Sequence, residues 1–242
     1  MNDGGGWDPD NRQQMPKVED ILRAKELLAG TIRKTPLQNS RTFSHLAGTN
    51  LFMKLECVQV TGSFKARGAF VKVSRLSDNQ ASHGVIAASA GNHAQGVAYA
   101  ASIKKIPCTI VMPQNASPAK VAATRSYGAT VVRRGFNYDE AWKAVQEIAK
   151  AEKRTIIHAF DDPDVIAGQG TIGLEILEDL PDVDKVYLPV GGGGLAAGVA
   201  IAIKSRNPNV KIIGVESKAF PAMKESVAKG SLQSIKKGYS IA

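Results

Sequence analysis

The sequence predicts a two-domain α/β protein with open parallel sheets and helices on both faces. Two observations carry this. Short apolar, uncharged runs alternate with segments of helical period, the pattern of buried parallel strands and their crossover helices. Successive runs are spaced by roughly 23 residues, enough for a right-handed crossover. A third observation points to function: three of these junctions carry glycine and other small residues where a strand feeds a helix.

The elements follow in order. Residues 18–28 have helical apolar spacing and stop before Gly30. Residues 50–56 alternate weakly and read as a strand, and 64–76 as a helix. Residues 84–88 form an apolar run followed by a helix over 92–103. A second run at 108–112 leads to a helix opening on Pro118, a favourable first-turn residue. A third run at 130–133 precedes a helix over 138–151, and a fourth lies at 155–158. A helix over 165–180, a strand at 185–190, a helix over 195–205, a strand at 211–216 and a helix from near Ala219 complete the pass. Residues 84–158 are expected to form a smaller α/β unit. Residues 16–83 and 159–242 would form a larger one, and 1–15, rich in Gly, Asp and Asn, a mobile tail. Residues 186–203 lack charge, but Pro189 and four glycines make them a strand, a turn and a helix rather than a membrane span.

A chain of 242 residues with 43% hydrophobic and 22% charged residues is ordinary globular material. Disordered, collagen-like and disulfide-scaffold classes are excluded. The net charge is +9, and Lys204–Ala242 hold eight Lys/Arg against two acids. Without aromatic interleaving or a nucleic-acid signature, this reads as a solvated basic face rather than a nucleic-acid surface. Cys57 and Cys108 sit in apolar runs without ligand spacing. They are expected to be buried reduced thiols in a reducing cytoplasm.

Three loops carry chemistry. In Gly191-Gly192-Gly193-Gly194-Leu195, consecutive backbone N–H groups can turn toward one point at a helix start, a cradle for phosphate. Gly192-x-Gly194-x-x-Ala197, with Glu216 about 20 residues on, also leaves a dinucleotide site open. In Ser89-Ala90-Gly91-Asn92-His93, small residues expose amides to an anion such as a carboxylate. Asn92 offers a donor and an acceptor, and His93 reads first as a hydrogen-bonded packing residue. In Thr61-Gly62-Ser63-Phe64-Lys65-Ala66-Arg67-Gly68, a lysine stands in a helix's first turn. The macrodipole there lowers its pKa and favours the neutral amine needed for Schiff-base chemistry.

Together these loops, with Ile166-Ala167-Gly168-Gln169-Gly170-Thr171, resemble the fold-type II pyridoxal-phosphate enzymes, whose fold is that of the tryptophan synthase β chain. The match runs in order from about Lys17 to the last residue, and within the family it is most similar to the threonine ammonia-lyases, then to the serine racemases. The resemblance implies pyridoxal 5'-phosphate carried on Lys65, with Phe64 packed beside it and Asn92 at its phenolic oxygen. The backbone of Gly191, Gly192, Gly193, Gly194 and Leu195 would hold the phosphate. Ser89, Gly91, Asn92 and His93 would receive the substrate carboxylate. It implies dehydration and deamination of L-threonine to 2-oxobutanoate, and of L-serine to pyruvate, by a cytoplasmic homo-oligomer serving isoleucine biosynthesis. The partners are small amino acids, with no nucleic acid and no membrane. Racemases carry a serine where this chain has Ala90, which favours elimination. Their metal site uses an acid at the Glu216 strand and another six residues later. Here the second position is Ala222, so no metal is expected and Glu216 is a weak candidate. The family's partner for the pyridine nitrogen has no counterpart before Ala242, so the chain is expected to be truncated there.

Overall fold

The computed structural model describes residues 15–235. Apart from Met15, the expected N-terminal tail lies outside them, as do the last seven residues.

The smaller sheet is close to expectation. β3 (Val85–Ala88) and β4 (Cys108–Met112) are buried at every position, as central strands of a parallel sheet covered on both faces must be. β5 (Thr130–Arg133) is an edge strand, and β6 (Thr155–Ile156) closes the other edge. The order is β5-β4-β3-β6, all parallel. Its crossovers are α5 (Asn92–Lys104), α6 (Pro118–Arg125) and α7 (Tyr138–Glu152). Pro118 starts α6. The Asn137 side chain accepts from Glu140 N at 2.9 Å to cap α7.

The remainder is built around helices. α1 (Val18–Leu28) presents Ile21, Ala24 and Leu28 on one buried stripe. α3 (Lys65–Ser74), α8 (Pro163–Asp179) and α9 (Gly194–Lys204) pack closely. A Cβ on Gly168 would stand 2.5 Å from Gly68 Cα, so no side chain fits where α3 meets α8. α8 is buried from Val165 to Ile176, which explains its apolar sequence without any membrane; no described helix is long and apolar enough to span one. β7 (Lys185–Pro189) and β8 (Lys211–Val215) form a two-stranded parallel sheet, and α10 (Ala222–Lys229) follows. One apolar core runs from Ile21 through Ala66, Val97 and Ile110 to Leu174 and Ala202, crossing both expected units.

Three findings differ from expectation. The 50–56 strand shortens to β2 (Phe52–Lys54) and pairs antiparallel with the unexpected β1 (Leu37–Asn39). Two short helices, α2 (Arg41–Ala47) and α4 (Asp78–His83), also appear. Each has a serine N-cap, Ser40 and Ser77, and neither buries a residue, so hydrophobic periodicity could not reveal them. Finally, Cys57 is exposed in a 3-10 turn at Glu56–Val58, not buried in a strand. Cys108 is buried as expected, and burial pushes its thiol up to about 12.

Candidate active site

Lys65 is the first residue of α3. Its backbone N–H donates to Ser63 Oγ at 3.3 Å, and its Nζ lies 5.2 Å from the centre of the Phe64 ring. The amine donates to the Ala159 carbonyl oxygen at 2.7 Å. No carboxylate pairs with it among the described residues, and burial pulls its pKa below the usual lysine range. The motif's lysine is thus a half-buried amine whose charged form is disfavoured by burial.

The second loop lies against the same point. α5 crosses α3 so closely that a Cβ on Gly96 would stand 3.0 Å from the Lys65 carbonyl carbon. Ser89 Oγ accepts from Gly91 N at 3.1 Å, shaping the turn into α5. Gly91 is the N-cap and Asn92 stands exposed at the first helical position. The His93 ring is buried, and its Nε2 lies 2.9 Å from the Ile157 carbonyl oxygen. With Nε2–H donating there, Nδ1 is the bare nitrogen. Burial lowers the His93 pKa to about 4, so the ring is neutral at physiological pH.

The glycine loop closes the site. Val190 N donates to Val215 O at 3.0 Å, which ends the strand pairing. Gly193 then adopts φ +88°, a left-handed conformation that glycine takes without strain. The first intrahelical bond of α9 runs from Ala197 N to Gly193 O, so the amides of Gly194, Leu195 and Ala196 have no partner inside the helix. A Cβ on Gly192 would lie 2.3 Å from the Phe160 ring, and one on Gly194 2.6 Å from Phe160 O. The glycines therefore serve close approach as well as turning.

The segment that joins these loops carries no motif. Ile157 O receives His93, Ala159 O receives Lys65, and Phe160 backs the glycine loop. The only sequence signal was its position at the end of a parallel strand. Glu216 stands apart from this arrangement. Its carboxylate accepts Met223 N at 2.9 Å and Lys224 N at 2.8 Å, capping α10.

A second constellation lies two residues from Lys65. The Arg67 guanidinium, 1% exposed, bonds Glu175 at 2.6 and 2.9 Å and Glu56 at 2.8 and 2.9 Å. Lys54 Nζ joins Glu175 at 2.6 Å. Burial alone would lower the Arg67 pKa, but the two carboxylates outweigh it and raise it.

The pattern of the family described as "Pyridoxal-phosphate dependent enzyme" matches residues 28–242. An L-threonine ammonia-lyase of Thermotoga maritima is 49% identical over 221 residues, 91% of this chain and 55% of its own length. The catabolic L-threonine dehydratase TdcB of Escherichia coli K12 is 50% identical over 215 residues, 89% of this chain and 65% of its own. The chain thus spans somewhat over half the length of these relatives. The structure of maize serine racemase superposes with a TM-score of 0.91 at 34% identity, covering 93% of this chain and 69% of that one. With one strand-end site assembled from three collinear loops, and the family pattern matched over residues 28–242 of this chain, the chain belongs to the pyridoxal-phosphate dependent enzyme family.

Proposed function

We propose that this chain forms the cofactor-carrying part of an L-threonine ammonia-lyase that also accepts L-serine. The observation that carries the reading is the Lys65 amine, half-buried with no carboxylate partner among the described residues and held by one carbonyl beside the glycine loop. The same features fit pyridoxal phosphate. The amides opening α9 suit its phosphate, and Thr61 Oγ1, in the lysine motif, is buried without a hydrogen-bond partner. Lys65 would hold the cofactor, with Phe64 beside it, Asn92 at the phenolic oxygen and the Gly191–Leu195 amides on the phosphate. When bound, the cofactor supplies a ring that accepts electrons from the substrate α-carbon.

The remaining work falls to the chain. Ser89, Gly91, Asn92 and His93 would receive the substrate carboxylate at the start of α5, where the helix dipole favours an anion. The His93 side chain, engaged by Ile157, would hold that helix start rather than move protons. Lys65 Nζ would take the α-proton, a task suited to an amine whose pKa burial has lowered. The packed walls of α3, α5 and α8 would exclude water. A racemase needs a second proton-transfer group on the opposite face, and the chain offers Ala90 at the position where the resemblance would place it. A dinucleotide reading is disfavoured because both Glu216 oxygens are engaged by backbone amides.

The wider reading follows. The word "catabolic" in the name of the Escherichia coli relative favours threonine breakdown over isoleucine biosynthesis. Free thiols at Cys57 and Cys108 suit the reducing cytoplasm. Exposed Phe43 and Leu46 on α2 support self-association into a dimer or tetramer. A smaller unit over 84–158 agrees with the four-stranded sheet. The deciding experiment adds pyridoxal phosphate and L-threonine and measures 2-oxobutanoate and ammonia, with L-serine in parallel under chiral chromatography. Equimolar 2-oxobutanoate and ammonia, and pyruvate from serine, are expected. D-serine without pyruvate would contradict the lyase reading.

A further inference from the structure

His158 belongs to none of the three loops, yet it stands where they meet. Its Nδ1 accepts the backbone N–H of Asp161 at 2.8 Å and of Phe160 at 3.4 Å. A side-chain acceptor gathering the amides two and three residues ahead is how Asn and Asp fold turns. Acceptance at Nδ1 puts the ring proton on Nε2. The ring is held edge-on by Trp142 at 5.4 Å and by Phe160 at 4.7 Å between centroids. Burial keeps it neutral; nearby Asp161 and Asp162 oppose that effect and Lys65 adds to it.

The turn that His158 ties carries two neighbours of the site. Ala159 presents its carbonyl to Lys65 Nζ at 2.7 Å. Phe160 presents its ring to Gly192 and its carbonyl to Gly194. One imidazole therefore fixes both the resting place of the amine and the backing of the glycine loop. We infer that His158 is a positioning residue, setting the Lys65 amine relative to the glycine loop by holding the 158–161 turn closed. It touches no reacting atom. Its effect on the amine stands on the geometry alone, and its effect on cofactor affinity rests on the function proposed above.

The test compares wild type with His158→Phe and His158→Asn in the full chain. Phenylalanine keeps a ring between Trp142 and Phe160 but removes the acceptor. Asparagine loses the ring, while its Oδ1 can take the same two amides. The first readout is the pH dependence of Lys65 reductive methylation in cofactor-free protein, followed by peptide mass. In His158→Phe the opened turn lets water reach the amine, and the midpoint rises by roughly 1 unit toward the ordinary value. The second readout is pyridoxal phosphate affinity from the visible absorbance, expected to weaken about tenfold, the size of one lost hydrogen-bonded contact. His158→Asn should return both to within about twofold of wild type, a change that simple loss of ring packing would not allow. An unchanged midpoint in His158→Phe, or a His158→Asn variant displaced as far, overturns the inference. Should His158→Phe fail to fold, His158→Asn decides: a wild-type midpoint supports the inference and a displaced one overturns it. A wild type that takes up no pyridoxal phosphate refutes the proposed function instead, and the methylation midpoints still judge His158.

Discussion

Lys65 and Arg67 lie two residues apart in the first turn of α3, and their surroundings treat positive charge in opposite ways. Arg67 is sealed at 1% exposure but meets two carboxylates in bidentate geometry, and its charge is secured. Lys65 is half-buried with one carbonyl oxygen as its partner among the described residues, and its charge is disfavoured. The difference teaches that burial does not decide the state of a basic group; the provision of counter-ions does. A single helix turn thus holds both a member of an ion cluster that locks structure and an amine left without a counter-ion among the described residues. The cluster also ties Glu56, just before the lysine motif, to Arg67 within it, so the loop bearing Lys65 is closed at both ends.

The contrast can be broken most severely at Arg67. Arg67→Met leaves buried Glu175 and half-buried Glu56 with Lys54 as the remaining cation, and should cost about 3–5 kcal/mol in denaturant unfolding. A loss below about 1 kcal/mol would mean that the cluster is not the lock described. Lys54→Met removes one cation but leaves the Arg67 pairs, and a smaller loss of about 1–3 kcal/mol is expected in the same measurement. Lys65→Met should have the least effect on stability, within about 1 kcal/mol and in the stabilising direction near neutral pH. The sign follows from linkage. The native pKa of Lys65 lies below the ordinary 10.5, so protonation favours the unfolded chain. That penalty is fully present below the native value and fades as pH rises through it toward 10.5. The advantage of Lys65→Met should shrink over that window. An advantage that instead grows with pH would show that the native amine prefers its charge.

The smaller sheet was legible because its strands are short, buried and uncharged, and because Pro118 and the loop glycines punctuate the crossovers. Two of the three loops were legible for a related reason: a strand-to-helix turn with open amides favours Gly, Ala and Ser over several positions, while the third stood out by a lysine in a helix's first turn. The turn at His158 was not, since it works through carbonyls and a side-chain acceptor that many residues could flank. Nor was the partner set of Arg67, which gathers Glu56 and Glu175 across more than a hundred residues. Cys57 was misplaced because an apolar run is shared by strands and by 3-10 turns, and periodicity cannot separate them over three residues. Glu216 had the spacing of a ribose-binding acid, yet the chain uses it to cap α10.

The central claim is that Lys65, and no other lysine, is the amine prepared for the cofactor aldehyde. The direct measurement is to add pyridoxal phosphate at neutral pH, reduce with borohydride and map the pyridoxyl group by peptide mass. A single reduced adduct on the peptide bearing Lys65, absent in Lys65→Met, is the predicted result. An adduct spread over surface lysines, or one that persists in Lys65→Met, would contradict it.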